Sequence, residues 1–216
     1  MGEPVEFAGH NGYLAAGEGA GPALIVLPEQ WGVVKHVEDV CERFAAEGFT
    51  ALAPAPHPGT PGRSDGSLEL ERSATDVSGV VDFLQGHPSV RGNGVGVVGF
   101  AAGAALALWL GSIRPDRVRA VVPFYGTVPR GTKQPDWKAM TAAVEGHFAE
   151  SDELVSPEAV RELEDTLVES GHDVRMFLYP GTSPGFFDDT RPDVYDEDAA
   201  RQAWVRSLEF LRARLG

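Results

Sequence analysis

The chain holds a single cysteine, Cys41, which rules out an internal disulfide and leaves no thiolate set for structural zinc. Basic residues are also scarce: 18 Lys and Arg stand against 32 Asp and Glu, the formal net charge is −14, and there is no basic run. A phosphate backbone or an anionic bilayer is held by clustered Lys and Arg, so nucleic acid and membrane are set aside as partners. The first residues lack a basic and apolar signal segment, and a cytoplasmic protein is expected. His10, His36, His87 and His172 fall in turns or on helix faces without forming a metal-ligand cluster, so no metal and no cofactor is expected. No internal repeat is visible. A length of 216 residues with 43% hydrophobic content suits one domain over 1–216, as a monomer or homodimer with a small-molecule ligand or substrate.

The stretch that organises the chain is GVGVVGFAAGAALALWLG, Gly94 to Gly111. It carries no charge as far as Ile113, long enough to span a bilayer, but glycines at 94, 96, 99, 103 and 111 argue against one spanning helix. Valines crowd its first half and Ala and Leu its second, the pattern of a buried strand followed by a helix. Gly94 to Gly99 also spells G-x-G-x-x-G, which signals dinucleotide binding only after a strand and at the start of a helix. Here HPSVRGN precedes it and reads as no strand, and no acidic ribose partner follows. The turn Gly99-Phe100-Ala101-Ala102-Gly103 instead has the form of a nucleophile elbow, in which glycines make room for a central residue in a strained conformation. That central residue is Ala101.

Short strands are expected at Val5 to Phe7 and Tyr13 to Ala16 around a turn at His10-Asn11-Gly12, then at Ala23 to Leu27. An amphipathic helix over Lys35 to Glu47 puts Val37, Val40, Cys41 and Phe44 on one face, where a free cysteine is ordinarily a small core hydrophobe. Gly48 caps it, Phe49 to Ala53 is a strand, and Pro54 to Gly66 is a long loop with His57, Arg63 and Asp65. A helix over Leu68 to Gln85 precedes the elbow. Strands at Arg119 to Tyr125, Ala142 to Phe148 and Val174 to Tyr179 alternate with helices at Pro157 to Ser170 and Asp198 to Leu215. The fold class is α/β: a mostly parallel central sheet, helices on both faces, and a ligand crevice at the carboxyl ends of the strands.

The segments PALIVLPEQWG, HVEDVCERFAAEGFTALAP, VGVVGFAAG, AVVPFYG, GHFAESDELVSPEAV and YPGTSPGFFDDTRP occur in an order that resembles the dienelactone hydrolase family along the whole chain. The resemblance implies an α/β-hydrolase fold with no large lid domain. It also implies enzymes that open lactones and related esters with a Cys nucleophile, a His base and an Asp orienter. Carried over by residue, the nucleophile position falls on Ala101, the acid on Asp152 and the base on Pro184. Glu29, which in the family sits beside the nucleophile, is kept. The oxyanion hole would use the N–H groups of Ala102 and Gln30. A triad works as a unit, so a chain lacking both nucleophile and base has no acyl-enzyme route.

Around these positions Trp31, Tyr125, Ser183 and Phe186 are candidates to line a substrate pocket, with His57 and Arg63 from the long loop. Each also has a plain reading, as loop packing or a solvated loop side chain. His147, inside or just past its strand, reads as structural. Three functions compete. One is a non-covalent enzyme of cyclase, isomerase or lyase type on a small carbonyl or lactone-like compound, with Glu29 or Asp152 carrying the proton. The second is a non-catalytic binding protein, and the third a hydrolase using water activated by Glu29 or His57. The first requires Ala101 at a strained turn, and Glu29 largely buried against a shared cavity with its charged form disfavoured.

Overall fold

A computed structural model describes residues 2–7, 9–29, 35–55 and 70–216. Eight strands lie in the order β1-β2-β4-β3-β5-β6-β7-β8. They are β1 (Glu3–Phe7), β2 (His10–Ala16), β3 (Gly21–Leu27), β4 (Thr50–Pro54), β5 (Val90–Phe100), β6 (Val118–Phe124), β7 (Ala143–Ala149) and β8 (Val174–Tyr179). The first two pairings in that order, β1 with β2 and β2 with β4, are antiparallel, and every pairing from β4 to β8 is parallel. The helices are α1 (Lys35–Ala46), α2 (Leu70–Val77), α3 (Gly79–Gly86), α4 (Ala102–Ile113), α5 (Pro157–Glu169) and α6 (Glu197–Leu215).

A strand's period of two divides the apolar residues between two cores. In β3, Ala23, Ile25 and Leu27 join the core under α2, α3, α4 and α5, while Leu24 and Val26 join the core under α1 and α6. Both faces of the parallel strands are covered, which is why ALIVL and VGVVGF read as unbroken apolar runs. Helix α4 is buried on nearly every side, from Gly103 to Ser112, because the sheet takes one face and α2 packs on another. Cys41 is fully buried in the α1 core, where burial pushes its thiol pKa up and leaves it unreactive. No helix among the described residues is long and apolar enough to cross a membrane.

Three local expectations are corrected. The first hairpin turns one step earlier than His10-Asn11-Gly12: Phe7 pairs with His10, Gly9 takes φ 81°, and Asn11 and Gly12 lie within β2. Gly12 serves there as a close approach, since a Cβ on it would come within 2.9 Å of the Ala53 carbonyl. The single helix expected over Leu68 to Gln85 is two, α2 and α3, broken at Ser78. At Ser78 the backbone bonds tighten to i→i+3, Ser78 to Thr75 and Val81 to Ser78, while the Ser78 side chain turns back onto the Thr75 carbonyl and Arg114 donates to the Ser78 carbonyl at 3.1 Å. Residues 90–93, read as no strand, begin β5, which places Gly94, Gly96 and Gly99 inside a strand rather than after it.

Candidate functional site at the elbow

Strand β5 ends at Phe100, and Ala101 stands between it and α4 with φ 48° and ψ −110°. This is a strained conformation for a residue with a side chain. Glycines on both sides allow it. A Cβ on Gly99 would fall 2.1 Å from the Gly103 carbonyl oxygen, and one on Gly103 would fall 2.5 Å from the Leu27 oxygen. The start of α4 is thereby pressed against the end of β3, where Glu29 begins the next loop. The amide of Ala101 donates to the Phe124 carbonyl at 3.0 Å, and that of Tyr125 to the His147 carbonyl at 2.7 Å, so the ends of β5, β6 and β7 are stitched side by side. Helix α4 carries no side-chain cap, and its first amides, beginning with half-buried Ala102, lack the partner a cap would supply.

Tyr125 is the other strained non-glycine residue among the described ones, with φ 36°. Its ring packs on Phe100, Phe124 and Phe186. Its hydroxyl is buried with no well-formed hydrogen bond among the described residues, and burial, reinforced by the charge of the neighbouring Glu29 carboxylate and a weak hydrogen bond toward it, raises the phenol's pKa well above its ordinary value. Glu29 is three-quarters buried, its side chain 26% exposed. Its Oε1 is buried and unpartnered, while Oε2 lies 3.5 Å from Nη1 of Arg191. One oxygen of Glu29, a residue expected to be largely buried against a cavity shared with Ala101, is thus turned toward a cation that folds back over Gly185.

The loop after β8 carries Ser183 and Pro184, both half-buried. It is joined to the loop after β7 by the Ser151 amide donating to the Thr182 carbonyl and by the Gly181 amide donating to Glu150. Asp152 stands in that second loop with its Oδ1 already engaged, accepting from the amides of Leu154 and Val155 at 2.8 and 2.9 Å. It holds its own loop in shape, and that use weighs against it as a free proton carrier. Phe186, expected as a pocket wall, is fully buried beneath the loop against Tyr125 and Tyr179. Gln30, Trp31, His57 and Arg63 lie outside the described residues. His147 is within β7 and fully buried, bonded to the hydroxyls of Tyr179 and Ser207. Its structural reading fits that placement.

One cluster was missed from the sequence. His36 is buried at the start of α1 with Nδ1 3.2 Å from Asp188 Oδ1. His36, Asp188 and Asp189 bring potential ligand atoms within 4.8 Å of one another, so the view that the histidines form no such group needs amending here. Desolvation lowers the His36 pKa against the opposing pull of Asp188, Glu29 and Asp189, with Arg43 adding to the lowering. Asp188 Oδ1 also accepts from the amide and hydroxyl of Thr190, so this oxygen is already occupied as a loop-shaping acceptor. The contact joins residues far apart in the chain, and helix periodicity alone gave no sign of it.

Residues 10–215 match the Dienelactone hydrolase family. Protein usf of Aquifex pyrophilus is 32% identical with full coverage of both chains, and an Aquifex aeolicus protein named as a carboxymethylenebutenolidase is 30% identical, again over the whole of both. Among solved structures, the dienelactone hydrolase-like promiscuous phosphotriesterase P91 from metagenomic libraries superposes with a TM-score of 0.85 at 22% identity, covering 100% of this chain and 99% of that one. The central sheet, the strained elbow and the sequence relatives agree, and this chain belongs to the dienelactone hydrolase family.

Proposed function

We propose that this protein is a non-covalent member of its family, an enzyme of cyclase, isomerase or lyase type that binds a small carbonyl or lactone-like compound and moves a proton with Glu29. The observation that supports this reading is a pair of neighbouring buried polar groups beside the elbow, Glu29 Oε1 and the Tyr125 hydroxyl, which lie near each other without a well-formed hydrogen bond and have no other partner among the described residues. Unsatisfied buried groups are costly, and where they cluster they mark the place a ligand completes. In this reading Ala101 and Pro184 stand at the nucleophile and base positions, so no acyl-enzyme forms.

The chemistry follows from the surviving groups. A ligand carbonyl oxygen rests against the Ala102 amide in the oxyanion hole, at the uncapped N-terminus of α4. Glu29 removes a proton from the carbon next to that carbonyl, and the bonding electron pair moves onto the oxygen. The phenol of Tyr125, kept neutral by its raised pKa, donates to the ligand. Return of the proton to another position completes an isomerisation, while expulsion of a leaving group completes a lyase reaction. The test is deuterium uptake from D2O at the α-carbon of small enolisable lactones and 2-oxo acids, followed by NMR. Wild-type protein is expected to catalyse exchange, and Glu29→Gln to suppress it by roughly a hundred- to ten-thousand-fold with ligand affinity nearly unchanged. Exchange that survives the substitution would remove Glu29 from this role.

A binding protein is the second reading. It is favoured by the Glu29–Arg191 pair and by the use of Asp152 to hold its own loop. Ligand binding with no exchange in either protein would select it. A hydrolase using water activated by Glu29 predicts instead that ester turnover is lost in Glu29→Gln.

A further inference from the structure

A concavity with a volume of about 330 Å³ lies at the end of the sheet opposite the elbow. Its polar lining is Arg119, Thr141, Ser170, His172, Asp173 and Arg214. These residues stand near the amino-terminal ends of β6, β7 and β8 and the last turns of α5 and α6, whereas the elbow stands at the carboxyl end of β5. The charge here runs against that of the whole molecule. In a chain of net charge −14, this cavity gathers two arginines and a histidine around one acid.

The cations are held in place. Arg119 donates from Nη1 to the Pro115 carbonyl at 3.1 Å and from Nη2 to the Asp116 carbonyl at 2.9 Å. Its stem lies over Gly94, where a Cβ would come within 2.7 Å of Arg119 Cγ. Two backbone carbonyls fix the guanidinium without neutralising it, and three of its five N–H groups have no hydrogen-bond partner among the described residues. Arg214 is paired with Asp173 and its guanidinium lies 5.6 Å from the Phe210 ring centroid, so the one acid in the lining is already taken. His172 Nε2 sits 2.7 Å from the Trp137 carbonyl. A carbonyl only accepts, so Nε2 carries the hydrogen and the ring is fixed with Nδ1 as its remaining polar atom. Met140, Ala143 and Gly171 supply an apolar portion that suits a short carbon skeleton.

We propose that this cavity is a binding site for a small organic oxyanion, a carboxylate or phosphate compound, separate from the candidate site at the elbow. A planar guanidinium anchored by backbone carbonyls is a preorganised partner for either oxyanion. The volume is within the range of small-molecule sites and exceeds the needs of a lone inorganic ion.

The test is calorimetric titration of the full chain with citrate, inorganic phosphate and pyrophosphate at constant ionic strength. At least one probe is expected to bind saturably, and Arg119→Gln is expected to weaken it about tenfold or more. Arg201→Gln, on an exposed face of α6, should leave the affinity unchanged. Binding by citrate alone assigns a carboxylate ligand, and binding by the phosphates alone assigns a phosphate ligand. Should Arg119→Gln fail to fold, Arg214→Gln takes its place and must weaken binding at least threefold. No saturable binding by any probe, or equal weakening by Arg201→Gln, overturns the proposal.

Discussion

Tyr125→Phe removes one oxygen atom from the protein and leaves the ring among Phe100, Phe124 and Phe186. The strained backbone at φ 36° is common to both proteins and cancels. What changes is a buried hydroxyl that lies near the Glu29 carboxylate without a well-formed hydrogen bond and has no other partner among the described residues. Leaving such a group unsatisfied costs about 1–3 kcal/mol, and deleting it recovers part of that, so the variant is expected to be more stable by about 1–2 kcal/mol. For a protein of this size each kcal/mol moves Tm by about 2–4 °C, which gives a rise of about 2–8 °C. Urea titration should show a higher midpoint at unchanged slope, since the surface exposed on unfolding is nearly the same. The same substitution removes a donor from the crevice and should weaken ligand binding, so stability and function move in opposite directions. A fall in Tm of 2 °C or more would show that the hydroxyl is satisfied in the native state, and the argument that it awaits a ligand would fail.

Other outcomes follow from the same geometry. Gly103→Ala places a Cβ 2.5 Å from a backbone oxygen of β3 and should cost about 1–3 kcal/mol by chemical denaturation, although alanine is the better helix former. Ala101→Cys should leave aryl-ester turnover within about twofold of wild type, because a thiol lacking a base is only slightly ionised near neutral pH. Burial is the main cause that lowers the pKa of both His36 and His147 from 6.5. The unfolded chain therefore binds protons more readily below that pH, and stability falls as pH drops beneath about 6.5, by up to about 1.4 kcal/mol per pH unit for each histidine. His147→Gln should flatten this dependence in urea titrations across pH 5 to 7, and an unchanged profile would show that His147 takes no part in it.

The sequence was most legible where a local rule governs. Strand β8 matches Val174–Tyr179 residue for residue, and the strain at Ala101 follows from Gly99 and Gly103 on either side of it. Both rest on short-range sterics and on a strand buried on two faces. The first hairpin was misplaced because Asn11-Gly12 carries a strong turn signal, while the register is set by pairing with β4, which puts Gly12 opposite Pro54. At the break at Ser78, the carbonyl is bonded by Arg114 from 36 residues away, a contact with no local signal. Arg191 reaching Glu29 and Asp188 reaching His36 are likewise contacts between distant loops and helices, with no local periodicity to announce them. The family resemblance singled out Glu29, Ala101, Asp152 and Pro184, but only their neighbours show that Asp152 is already engaged and that Glu29 keeps one oxygen without a well-formed hydrogen bond among the described residues.

The proposed non-covalent route is tested most directly by intact-mass spectrometry of the wild-type protein during incubation with an aryl ester and with an aryl phosphonate. The account predicts an unmodified mass throughout and no burst of released phenol, since Ala101 offers no attacking atom and Pro184 no base. A stoichiometric adduct, on any residue of the crevice, would contradict it.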